Sequence, residues 1–166
     1  MQQFPVCQLR MNRGRAELED RIEHRISIRA AADTVWDLLS RPGWWIPGTR
    51  TAPARGPGRM AVEHSLDHKP YVIDVVRVDP RSYVAFRWAA AFGGATPASG
   101  TATLVECYVT PAGDEVNVAV AESGFSVLHL PEALRVSQWE GALGNWRYEL
   151  ASLRTEAEKR DKTEIP

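Results

Sequence analysis

From Ile22 onward, Ile22, His24, Ile26 and Ile28 alternate with Glu23, Arg25, Ser27 and Arg29. A period of two marks a half-buried strand. The period then changes: in AADTVWDLLSR, Val35, Leu38 and Leu39 fall on one helical face, Asp33 sits in the first turn and Asp37 can reach Arg41. Pro42 and Gly43 end that helix. Trp44-Trp45-Ile46-Pro47 and a Pro/Gly-rich passage through Gly58 follow, predicting a loop or a short strand.

Arg59 to Ser65, Tyr71 to Val78 and Tyr83 to Ala90 read as strands, with Asp79-Pro80-Arg81-Ser82 turning between the last two. After a loop around Gly93-Gly94, Thr101 to Thr110 and Glu115 to Ser123 form a second hairpin across Pro111 to Asp114. Beyond Pro131, which suits a first helical turn, Val136, Trp139, Leu143, Trp146, Leu150 and Leu153 recur at spacings of 3, 4, 3, 4 and 3. That is the strongest periodic signal in the chain. The elements predict one α+β domain over residues 22–157, a polar and flexible N-terminal extension over 1–21, and a charged, frayed tail over 158–166. Met11 is a second candidate start.

A chain of 166 residues, 44% hydrophobic and 25% charged, has the size and composition of one globular core. The formal net charge of -1, with no basic block, speaks against a nucleic-acid surface. No segment reaches the ~20 apolar residues of a membrane span, and the N-terminus lacks the apolar core of a signal peptide. Cys7 and Cys107 have no partner spacing. The expectation is a cytoplasmic protein without metal or cofactor, monomer or homodimer.

Candidate chemistry is sparse. Leu104, Glu106 and Tyr108 share one face of a hairpin strand, and Val116, Val118, Val120 and Glu122 share one face of its partner. Turned inward, these faces would bury two carboxylates with raised pKa values, suited to proton transfer; solvated or ion-paired at a sheet end, they would be structural. His64 and His68, with Glu63 beside them, lack a third ligand and read as surface histidines. Ser123-Gly124 is no nucleophile elbow, and Gly93-Gly94 is no phosphate loop. The helix stripe with Gly141 and Gly144 is either plain core or one wall of a cavity.

Several separated segments carry a resemblance. Val35-Trp36-Asp37-Leu38-Leu39, Trp44-Trp45, Pro80 to Trp88, Glu122-Ser123-Gly124-Phe125 and Trp139 to Trp146 together resemble the START-like, helix-grip superfamily SRPBCC. Within it they are similar to the domain of the Hsp90 ATPase activator C-terminus. The chain departs from the pattern at Gln138 and in the stretch after Trp45. The resemblance implies a curved antiparallel sheet wrapped around a long C-terminal helix, one or two short helices after the first strand, and a cavity that in relatives receives apolar molecules.

Three functions follow as expectations. The first is binding of a small hydrophobic or aromatic molecule, without catalysis, by Trp36, Trp45, Phe86, Trp88, Leu104, Val118, Phe125, Trp139, Leu143 and Trp146. The second is a polyketide cyclase/dehydratase-like enzyme using Glu106 or Glu122, assisted by His64 or Tyr108. The third is a co-chaperone module with an exposed apolar patch near Trp44, Trp45 and Ile46, docking a chaperone partner such as Hsp90.

Overall fold

The computed structural model of the chain describes residues 11–12, 15–16 and 20–163. Two short strands, β1 (Met11–Asn12) and β2 (Arg15–Ala16), pair with each other. The rest of the predicted extension before residue 20, and residues 164–166 of the tail, lie outside the described residues. The main sheet has six strands: β3 (Arg21–Ile28), β4 (Gly58–Glu63), β5 (Pro70–Asp79), β6 (Tyr83–Trp88), β7 (Thr103–Ala112) and β8 (Glu115–Ser123). All pair antiparallel, in the order β3-β8-β7-β6-β5-β4. A short helix, α1 (Ala32–Leu39), follows β3, and a helix of 32 residues, α2 (Glu132–Thr163), closes the chain. This is the helix-grip arrangement, with the sheet curved around α2.

Register fixes which side chains share a face. Ile22 lies opposite Glu122, which lies opposite Val105, so these three point to the same side. On that side His24 bonds to the Leu143 carbonyl of α2, which identifies it as the face toward the helix. Ile22, Ile28, Val105, Cys107, Val109, Val116, Val118 and Val120 are buried there. Against them α2 turns Trp139, Trp146, Leu150, Leu153 and Ala157, all buried. Full burial of either indole contributes about 3 kcal/mol, so the stripe outweighs any single strand contact.

The charged C-terminal sequence continues the helix rather than fraying. Ala157 is fully buried, Asp161 accepts from the Ala31 N–H at 3.0 Å and from the Thr34 hydroxyl at 2.9 Å, and Glu158 accepts from the Arg29 N–H at 3.1 Å. Arg160 reaches Asp37 of α1 at 3.3 Å. Composition alone hides this, because Glu158 and Asp161 accept from backbone and hydroxyl donors between Arg29 and Thr34, the approach to α1 and its first turn, rather than only facing water.

Gly141 and Gly144 are not close-packing glycines. A Cβ built at either meets nothing within 4 Å. Gly144→Ala therefore removes backbone freedom from the unfolded chain without a clash and should stabilise the fold by about 0.5–1 kcal/mol. Urea unfolding checks this, and a destabilised variant would show that the helix needs glycine there.

Candidate functional site

The segment after α1 brings two indoles under the sheet. The Arg41 guanidinium bonds to the Asp37 carboxylate at 2.8 Å and to the Thr51 carbonyl at 2.9 Å, pinning the Pro/Gly-rich stretch. At Gly48 φ is +82° and a side chain would collide with Ser65, whose N–H donates to the Pro47 carbonyl at 2.9 Å. Held this way, Trp45 sits at the centre of an aromatic cluster. Its ring lies 5.3 Å from Phe86, 5.3 Å from Trp88 and 5.6 Å from Trp146.

Beside this cluster is the buried acid of the sheet, Glu122, 2% exposed. Its Oε1 accepts from the Thr103 hydroxyl at 2.6 Å and from Trp88 Nε1–H at 3.1 Å; its Oε2 accepts from Trp146 Nε1–H at 2.6 Å. Burial pushes its pKa up, opposed by the bonds from Thr103, Trp146 and Trp88. An indole can only donate, so both carboxylate oxygens are held by groups that require an acceptor.

Between α2 and the sheet lies a cavity of about 410 Å³. Trp45, Trp88, Trp146, Phe125 and Leu128 supply its apolar wall, and Glu122 and Thr103 its polar floor. From α2 come Ser137, Gln138, Gly141, Ala142, Asn145 and Glu149; from the β4–β5 turn come His64 and Asp67. Glu149 is half-buried, and among the described residues none donates to its carboxylate; desolvation pushes it up to about 7. His64 Nδ1 lies 3.2 Å from the Leu66 N–H and 3.3 Å from the Asp67 carboxylate.

With this geometry the chain was compared with known proteins. No family model and no curated protein matches it. Solved structures do. DynU16, from the dynemicin biosynthetic locus, gives a TM-score of 0.64 at 19% identity, covering 87% of this chain and 49% of its own. The chain thus spans about half the length of DynU16. The Aha1 dimer from Colwellia psychrerythraea gives 0.62 at 17% identity, covering 83% of this chain and 96% of that one. Protein MLL2253 from Mesorhizobium loti gives 0.65 at 16%, covering 85% and 98%. The likeness is one of fold.

The structure separates the sequence candidates. Trp45, Trp88, Phe125 and Trp146 line the cavity together with Glu122 and His64. Phe86, Val118 and Trp139 are buried in the surrounding core, while Trp36 and Leu143 pack against it partly buried. Leu104, Glu106 and Tyr108 are on the opposite face of the sheet, because the face of β7 toward α2 is Thr103, Val105, Cys107 and Val109. The two hairpin carboxylates are therefore not inward together. Glu106 accepts from Tyr83 at 2.8 Å, Tyr108 at 3.2 Å and Arg21 at 3.1 Å, an outer-face network that burial and the Glu106 charge make hard for Tyr83 to leave as a phenolate. Of the patch expected near Trp44, Trp45 and Ile46, Trp45 and Ile46 are buried at 5% and 4% exposure, and Trp44 packs against the core partly buried. Among the described residues no group of three His, Cys, Asp or Glu side chains is placed to hold a metal.

Glu149, Asn145, Thr103 and Asp67 were not read from the sequence as site residues. A signal for the helix members existed: Gln138, Ala142, Asn145 and Glu149 recur at spacings of 4, 3 and 4, a second stripe beside that of Trp139 and Trp146.

Two consequences concern the acids. Glu122→Gln turns an NH₂ group toward a donor that has no acceptor role, so the fold should lose about 1–3 kcal/mol in denaturant unfolding; unchanged stability would contradict the three-donor arrangement. The folded-state pKa of Glu149 lies above its unfolded value, so the folded state holds the extra proton between them. Relative to Glu149→Gln, the wild type should lose stability as pH rises from about 5 to 8. A wild-type advantage that grew with pH would contradict the burial of this carboxyl.

Proposed function

We propose that the chain binds a small apolar or aromatic molecule in the cavity between α2 and the sheet, and does not transform it. The observation that carries this reading is the cavity of about 410 Å³ with an indole wall. Ligand sites commonly span ~300–1,000 Å³, with apolar walls and a few convergent polar groups. Gly141, in the cavity lining, has nothing within 4 Å of where a Cβ would stand, so α2 is not sealed onto the sheet by close contact at that position.

Binding is favoured over catalysis by the state of the acids. Glu122 already accepts three protein hydrogen bonds, and Glu106 and Tyr108 face away from the cavity. General acid–base work needs such groups to converge on one substrate; of the four sequence candidates Glu122 and His64 line the cavity, and Glu122 is held there by Thr103, Trp88 and Trp146. That one solved neighbour comes from a biosynthetic locus is compatible with a small-molecule ligand.

A thermal-shift screen of lipids and aromatic compounds tests the reading. Ligands should raise the melting temperature of the wild type. Gly141→Phe, which projects a ring from the cavity wall where a Cβ meets nothing, should keep the fold and lose at least about tenfold in affinity. Equal binding by this variant would place the ligand elsewhere.

A further inference from the structure

The charge of the cavity lining restricts the ligand further, an inference that rests on the cavity-binding reading. Asp67, Glu122 and Glu149 line the cavity with His64, and among the described residues no Lys or Arg does. The lining thus has three acidic groups and no fixed cation. Of the three, Glu122 is engaged by Thr103, Trp88 and Trp146, and Asp67 accepts from the Lys69 N–H at 2.9 Å. Glu149 alone has no donor among the described residues, although it is half-buried. A half-buried acceptor without a partner inside an aromatic cavity has a free-energy deficit that a ligand donor removes.

We infer that the cavity selects an organic cation: an aromatic or alicyclic body against Trp45, Trp88 and Trp146, carrying a protonated amine that pairs with Glu149. The indole faces add to the attraction, since their negative quadrupole favours a cation over a neutral isostere. The same lining disfavours carboxylate ligands such as fatty acids, which would bring a fourth negative group into a cavity with no arginine or lysine to meet it.

Ionisation of Glu149 couples binding to pH. The other titratable groups that line the cavity are His64 and Asp67 from the β4–β5 turn, Tyr71 from β5 and Glu122 from β8. Burial holds the Glu149 carboxyl up to about 7, so at lower pH it is neutral and offers the amine no charge.

Isothermal titration with three matched probes tests the inference: naphthylmethylamine, naphthylmethanol and naphthoate. The amine should bind about tenfold more tightly than the alcohol at pH 8, and naphthoate more weakly than either. Between pH 6 and pH 8, where the amine stays protonated, its affinity should rise about tenfold as Glu149 ionises. In Glu149→Gln the amine preference and its pH dependence should vanish while naphthylmethanol binds as before, which also shows that the variant is folded. Should that variant not fold, the wild-type pH profile and probe ranking decide alone. An alcohol or naphthoate that binds as tightly as the amine would overturn the cation inference and leave the binding function standing. An amine preference that survives Glu149→Gln would overturn the assignment to Glu149. Failure of all three probes, with no ligand found in the thermal-shift screen, would overturn both.

Discussion

A carboxylate that is only 2% exposed must be met by hydrogen-bond donors, and Glu122 is met by one from β6, one from β7 and one from α2. Trp88, Thr103 and Trp146 thereby fix the angle at which the helix crosses the sheet at that level. Hydrophobic burial drives α2 onto the sheet without specifying where along the strands it stops; two indole N–H groups aimed at one carboxylate do specify it. The same contact holds Trp88 and Trp146 with their rings around Trp45, and these rings form the cavity wall. Removing the acid would leave two buried N–H groups unpaired, which costs more than the hydrogen bonds themselves contribute.

The chain has two glutamates one strand apart whose roles are set by parity. Glu122 lies opposite Val105 and faces α2; Glu106 lies opposite Ala121 and faces away. One residue of register separates an acid that organises the cavity from one that ties together Tyr83, Tyr108 and Arg21 on the outer face. Glu149 shares with Glu122 a pKa raised by burial, but among the described residues no donor answers it. Of the three acids that line the cavity, Glu122 and Asp67 accept from protein donors, and Glu149 has none among the described residues.

Much of the architecture was legible because it is written in periodicity. The alternation from Ile22 to Ile28, the turn at Asp79 to Ser82 and the stripe from Trp139 to Leu153 each have a local cause, and each stands where the pattern puts it. The site was less legible because it depends on parity and on contacts distant in sequence. Nothing local tells whether 104, 106 and 108 or 103, 105, 107 and 109 face inward; the β8 register and the helix on that face decide it. Likewise the charges after Ala157 read as solvated until the segment from Arg29 to Thr34 is brought beside them, whose donors Glu158 and Asp161 then accept. The stripe of Gln138, Ala142, Asn145 and Glu149 was visible, but its meaning required the sheet opposite it.

Hydrogen exchange at the indole N–H groups, followed by nitrogen-15 NMR, tests the central claim that Glu122 anchors α2 to the sheet. If Trp88 and Trp146 both donate to a buried Glu122, their Nε1 protons should exchange as slowly as the backbone amides of β8, and both should accelerate in Glu122→Gln. Indole protons of Trp88 and Trp146 that exchange at the rate of a solvent-exposed tryptophan in the wild type would contradict it.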